Sequence, residues 1–110
     1  MNNIDLQAAR KMLFLDPQEA ADCIGMVSTR TWQYWEKGEQ TVPEDVSEKI
    51  LALLKKRADA LRFGEITYRK DLPAYTYYRT FAEYSQAGGE GNIVDWRLAQ
   101  SVAAAIRFQD

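Results

Sequence analysis

Wound as a helix at about 100° per residue, the segment from Ser28 to Gly38 separates into two faces. Trp32 and Trp35 fall on one side, while Arg30, Gln33, Tyr34 and Lys37, at i, i+3, i+4 and i+7, fall on the other. The polar face carries no carboxylate. Arg suits the O6/N7 edge of guanine and Gln the N6/N7 edge of adenine, each through two parallel hydrogen bonds. A short helix anchored by two indoles and showing these groups outward meets the requirements of a DNA recognition helix. Ser28 and Thr29 stand at its start, where free backbone N–H groups take a phosphate.

The residues in front predict a second short helix. Asp16 reads as its N-cap, Pro17 as the first helical residue and Glu19 as the reciprocal partner of a capping box. Ala20-Ala21 leads to Ile24-Gly25, with Gly25 expected as the left-handed stop and Ser28 as the cap of the next helix. The order helix, tight turn, helix is the helix-turn-helix plan. Ala21 lies where the two helices cross, and a larger residue there would hold them apart.

Downstream, Thr41-Val42-Pro43-Glu44 opens a long helix running to about Phe63, with Val46, Ile50, Leu53, Leu54 and Leu61 at helical spacing and Gly64 as its end. The basic run Lys55-Lys56-Arg57 reads as a solvated face that could touch a DNA backbone. Tyr75-Thr76-Tyr77-Tyr78-Arg79 follows Pro73, is rich in β-formers and predicts a short strand. A short helix is expected from Phe81 to Ala87. A longer one from Ile93 to Phe108, capped by Asn92, puts Trp96, Ala99, Ala103 and Ile106 on one stripe. A lone strand has unpaired edges, and so short a segment rarely closes a core unaided. A second copy would pair the Tyr75–Arg79 strand with its symmetry mate and pack the alanine-bearing helices together. Tyr75, Tyr77, Tyr78, Arg79, Trp96, Ala99, Ala103 and Ile106 are therefore the expected homodimer interface. Symmetry would then set two recognition helices about one DNA turn apart, roughly 34 Å, or a multiple of it.

Two resemblances bear on this reading. Ala21-x-x-x-Gly25, then Val27-Ser28, then Trp35-Glu36-x-Gly38 resembles the lambda-repressor-like helix-turn-helix class, with Met26 as one extra residue in the turn. Pro17 occupies the register where that class often has a phosphate-contacting Gln, so no role passes to Gln18. More of the chain is covered by Leu6-Gln7-Ala8-x-Arg10, Ser28-x-Arg30-x-Trp32-Gln33-Tyr34-Trp35-Glu36-x-Gly38, Val42-Pro43 and Asp95-Trp96-Arg97-x-x-Gln100-Ser101-Val102-Ala103-Ala104. These resemble the YdiL family, which includes the anti-CRISPR-associated (Aca-type) repressors of phages. The resemblance implies a homodimer, joined through its C-terminal part, that binds an inverted repeat near its own promoter and represses transcription. It also implies RNA as a second candidate partner. The expected fold is mainly α: a lambda-repressor-like helix-turn-helix bundle over residues 1–63, and a small α+β dimerisation part over residues 64–110 with one short strand and two helices.

Composition narrows the function classes. The 110 residues, 46% hydrophobic and 27% charged, are those of a globular chain. The longest apolar runs (Met12–Leu15, Ile50–Leu54, Val102–Ile106) fall far short of the roughly 18 residues of a membrane span, and no secretion leader is read at the start. The single cysteine, Cys23, forms no internal disulfide, suits a reducing cytoplasm and is expected to be a buried structural thiol. With no histidine, a His-based triad and His-ligated zinc are impossible. Gly88-Gly89-Glu90-Gly91-Asn92 lacks the strand and Lys-Ser/Thr of a phosphate loop and reads as a connection to the next helix. Glu44 and Asp45 sit at a helix start, where they favour the macrodipole. No cofactor or metal is called for.

Charge weighs the other way. The chain carries a net −2, whereas a domain gripping DNA by charge alone is usually basic. Arg30 and Lys37 make a local positive field, narrowed by Glu36 and Glu39 nearby. Glu36 lies close to the Trp32 side of the wheel and is expected to hydrogen-bond structurally. Tyr34 either reaches phosphate through its hydroxyl or covers the edge of the core. The candidate DNA-contacting residues are thus Ser28, Thr29, Arg30, Gln33, Tyr34 and Lys37. A dimeric repressor on double-stranded DNA is the leading class. The alternative is a helical protein-interaction or antitoxin-like module gripping an acidic partner with the same face. No nucleophile–base pair or metal cluster supports an enzyme.

Overall fold

The computed structural model describes residues 1–67 and 75–108, with backbone alone at 65–67. Among the described residues there are six α-helices: α1 (Asn3–Met12), α2 (Pro17–Ala20), α3 (Thr29–Lys37), α4 (Glu44–Thr67), α5 (Phe81–Gln86) and α6 (Ile93–Arg107). One π-helical turn, Ala21–Gly25, joins α2 to the loop before α3. The chain divides within α4 into two compact units, Met1–Leu54 and Lys55–Asp110.

In the first unit, α1 is capped by Asn2, whose side chain accepts from the Asp5 amide at 2.7 Å. Leu6, Ala9, Arg10 and Leu13 recur at the three- and four-residue spacing of one buried face. Phe14, at φ 64°, reverses the chain behind α1. The amides of Phe14 and Leu15 then satisfy the last carbonyls, those of Lys11 and Arg10, at 3.0 and 3.1 Å. The capping box expected at α2 is present, with the Glu19 amide on Asp16 Oδ1 at 2.8 Å and the Asp16 amide on Glu19 Oε1 at 3.0 Å.

The turn differs from expectation in one respect. The left-handed residue is Met26, at φ 55°, and not Gly25. The π turn spends one more residue than an α turn, and the carbonyl of Ala21 accepts from the amides of both Met26 and Val27. The extra residue of this motif is absorbed there, so the stop moves one position on. Gly25 answers a different need. A Cβ on it would stand 3.0 Å from Trp35 Cζ3 and 3.1 Å from Trp32 Cε3, so the glycine lets the backbone lie against both indoles. Ala21 is fully buried, as its place at the helix crossing requires. Around it Leu6, Leu13, Leu15, Ala20, Ile24, Trp32, Trp35, Val46 and Ile50 complete the core of this unit.

In the second unit two expectations are corrected. Gly64 does not end α4, which continues to Thr67. A Cβ on Gly64 would overlap Cδ1 of Ile106 and stand 3.2 Å from Tyr75 Cε1. The glycine therefore admits α6 and Tyr75 close to the helix backbone rather than stopping the helix. Nor do residues 75–79 form a strand, and no strand occurs among the described residues. Their backbone is engaged by side chains: the Tyr78 carbonyl accepts from Trp96 Nε1 at 2.9 Å and Gln100 Nε2 at 3.3 Å. Tyr75 is itself buried and donates its hydroxyl to the Ala60 carbonyl at 3.2 Å. The Tyr75 side chain and the Tyr78 carbonyl fasten this irregular segment to α4 and α6, while Tyr77 is exposed. Pro73, read as preceding the strand, lies outside the described residues.

The helices expected after this segment are found. Thr80 caps α5 by accepting from the Glu83 amide at 3.1 Å. Asn92 caps α6, with Oδ1 on the Val94 amide at 2.9 Å and its own amide on Asp95 Oδ2 at 2.8 Å. Val94, Trp96, Leu98, Val102, Ala103 and Ile106 make α6 the centre of this unit's core. No helix among the described residues is long and apolar enough to cross a membrane.

Candidate nucleic-acid interface

The helix read as the recognition helix is α3, and both of its ends are set by local chemistry. Ser28 Oγ accepts from the Thr31 amide at 3.1 Å. Gly38, at φ 80°, closes the other end, where the amides of Gly38 and Glu39 reach Trp35 and Tyr34 carbonyls at 3.3 and 3.0 Å. The two faces separate as the wheel predicts. Trp32 and Trp35 are 0% and 5% exposed, with ring centroids 5.5 Å apart and planes tilted by 59°. Such a tilted aromatic pair is a favourable packing geometry. On the opposite side Ser28, Arg30, Gln33 and Lys37 are exposed, and Thr29 and Tyr34 are half-buried. All six candidate contact residues thus lie on one short element.

Within that face Arg30 and Tyr34 are joined. Arg30 Nε donates to Tyr34 Oη at 2.6 Å, and the Arg30 Cζ lies 5.5 Å from the Tyr34 ring centroid. Gln33 and Lys37 complete a surface of donors and acceptors of the kind that reads base edges and phosphate oxygens.

Glu36 does not contribute negative charge to this face. Its carboxylate turns inward onto Arg10, with Nε on Oε2 at 2.6 Å and Nη2 on Oε1 at 3.0 Å, and also accepts from Trp32 Nε1. Burial alone would raise the Glu36 pKa. Hydrogen bonds from Arg10 and Trp32, the Arg10 charge and a further bond from Gln7 hold it below the ordinary carboxylate value. Arg10 completes its own bonding by donating Nη1 to the Leu15 carbonyl at 3.0 Å. Asn3 Nδ2 adds a bond to the Glu36 carbonyl at 3.3 Å. The structural role expected of Glu36 is therefore found, and of the two nearby acids only Glu39 remains exposed.

Arg10 and Asn3 were not singled out as functional from the sequence. The signal was present for Arg10: it shares the buried stripe with Leu6, Ala9 and Leu13, and a buried arginine demands an acidic partner. Lys49 was missed as well. Its ammonium donates to the Ile24 carbonyl at 3.3 Å, bringing a cation to the end of the π turn ahead of α3. Cys23, expected to be buried, is half-buried in that turn. Burial first, then the charges of Asp22 and Glu19, raises its pKa, which disfavours the thiolate form.

The expected dimer-interface residues are placed differently from one another. Tyr75, Trp96, Ala103 and Ile106 are buried inside their own chain, Tyr78 and Ala99 are half-buried, and Tyr77 and Arg79 are exposed. Trp96 meets Phe81 edge-on at 6.3 Å between centroids, and Arg97 stacks 4.2 Å over the Trp96 ring. Among the described residues, no group of three or more His, Cys, Asp or Glu is placed to hold a metal ion.

The chain is similar to known proteins over most of its length. The Aca2 repressor of Pectobacterium phage ZF40 is 42% identical over 105 residues, covering 94% of this chain and 90% of its own length. The uncharacterized protein YdiL of Escherichia coli (strain K12) is 28% identical over 113 residues, covering 100% of this chain and 96% of its own. The profile of the Aca2/YdiL-like family matches residues 1–110, the entire length, and the chain belongs to that family.

Proposed function

We propose that this protein is a non-enzymatic, DNA-binding transcriptional repressor that works as a homodimer on an inverted repeat in the cytoplasm. The observation that carries the proposal is α3: two buried indoles behind an outward face of Arg30, Gln33 and Lys37, with the Glu36 carboxylate withdrawn. The 42% identity to a phage protein named as a repressor supports the same reading. In it, Arg30 and Gln33 read base edges, and Lys37 and the Ser28–Thr29 helix start meet phosphates, with Tyr34 on the same face. Dimerisation is assigned to residues 64–110. There Tyr77 and Phe108 are exposed large hydrophobic side chains, while Trp96, Ala103 and Ile106 are buried within their own chain. An autoregulatory target follows from the resemblance set out above.

A net charge of −2 favours one other reading, a protein-interaction module that grips an acidic partner with the same face. One experiment separates them. A labelled duplex from upstream of the protein's own gene is shifted in a gel against excess competitor DNA, then footprinted. Protection of two symmetric half-sites is expected, with a dimer in sedimentation at micromolar concentration. Absence of any sequence-specific shift would favour the interaction module, and a labelled transcript of the same region tests RNA.

A further inference from the structure

We infer that Tyr34 is the positioning residue for Arg30, holding its guanidinium for base readout instead of binding the DNA backbone itself. The inference rests on the DNA-binding reading of α3 and deepens it. Arg30 and Tyr34 stand at i and i+4, neighbours on the outward face. The hydroxyl takes the Nε proton at 2.6 Å, and the ring lies 5.5 Å from Cζ. Those two contacts use the inner edge of the guanidinium and one flank. The hydrogen bonds among the described residues leave Nη1 and Nη2 of Arg30 without a partner. Two nitrogens at the end of the fork are what a bidentate contact to guanine O6 and N7 requires.

The physical reason for such an arrangement is entropic. An unrestrained arginine loses a large rotamer freedom when it engages a base edge. A side chain already held by its Nε loses less, so more of the contact appears as affinity for the correct base. Tyr34 is half-buried whereas Arg30 is exposed, and its ring turns about fewer side-chain bonds than the arginine that it holds. The neighbouring contact residues Gln33 and Lys37 are exposed and have no such brace among the described residues. Arg30 is therefore the base reader with the sharpest preference, and Tyr34 the residue that sharpens it.

The test uses a duplex that the full-length protein selects from a randomised pool, and a panel of single-base-pair variants of it. Arg30→Ala should abolish the preference at one base pair of each half-site. Tyr34→Phe keeps the ring and removes the hydroxyl. It should reduce the preference at that same base pair roughly three- to tenfold, the effect of one hydrogen bond, with melting temperature and binding to unrelated DNA unchanged. The double variant should discriminate no worse than Arg30→Ala alone. Full discrimination by Tyr34→Phe beside a defective Arg30→Ala overturns the positioning role while leaving α3 as the reader. A uniform loss across all sequences, with a flatter salt dependence, overturns it in favour of a direct phosphate contact. Selection of no duplex, or an Arg30→Ala protein with parent specificity, overturns the DNA-binding reading and this inference together.

Discussion

Arg10 and Glu36, 26 residues apart in sequence, meet as a two-point fork that ties α1 to α3, at 2.6 and 3.0 Å. Both side chains are nearly buried, at 9% and 7% exposure. Geometry of this kind is needed before a buried ion pair offsets its own desolvation. Here the fork is completed by Trp32 Nε1 on the same carboxylate and by the Leu15 carbonyl on the same guanidinium. It also turns the Glu36 carboxylate inward, away from the outward side chains of α3.

Breaking that fork should cost far more than an exposed ion pair would. Glu36→Gln keeps an acceptor for Trp32 but leaves the Arg10 charge buried and unpaired, and should lower stability by about 3–5 kcal/mol. Urea unfolding measures it. The pH dependence follows in sign. The folded-state pKa of Glu36 is depressed, so its stabilisation is complete above the ordinary carboxylate value of the unfolded chain. It is lost as pH falls through the lower folded value. The Glu36→Gln protein should lack that part of the acid limb.

Arg30→Ala and Gln33→Ala should each weaken operator binding by about 1–3 kcal/mol and relax discrimination at separate base pairs. Lys37→Ala should lower affinity alike for every sequence and reduce the salt slope by about one. Competition titrations at three salt concentrations distinguish the two patterns. Unchanged operator affinity in folded Arg30→Ala and Gln33→Ala proteins would remove α3 as the reader.

Met26 holds a left-handed backbone at φ 55° with its side chain 73% exposed. Glycine occupies that conformation without the steric cost of about 1–2 kcal/mol that an L side chain meets. It also gives up about 0.5–1 kcal/mol through its freer unfolded chain. Met26→Gly should therefore raise stability by about 0.5–1 kcal/mol, seen as a melting temperature a few degrees higher. A lower melting temperature would mean that the methionine side chain packs in solution.

Gly64→Ala should act against the usual trend. Inside a solvent-facing helix the change gains up to about 1 kcal/mol. In α4 the new methyl would overlap Ile106 and crowd Tyr75, and overpacking of this kind costs about 1–3 kcal/mol. Net destabilisation is expected in thermal unfolding. A stabilised Gly64→Ala protein would show that α6 yields easily.

The elements that sequence alone determined are those whose signals act within a few residues. Asp16, Pro17 and Glu19 start α2, Ser28 starts α3, and Asn92 starts α6, because a cap is a hydrogen bond to an amide two or three positions away. The two faces of α3 were legible for the same reason, since helical spacing sorts Trp32 and Trp35 from Arg30, Gln33 and Lys37 before any partner is known. Tertiary structure decided what depends on distant neighbours. Gly25 and Gly64 look like stops in isolation, but the indoles and Ile106 give each its actual reason. Tyr75–Arg79 has the composition of a strand, yet Trp96 and Gln100 take the Tyr78 carbonyl that a ladder would have used. The partner of Arg10 was likewise out of reach of local pattern: a buried charge announces that a counter-charge exists, but only the packing of α1 against α3 makes it Glu36.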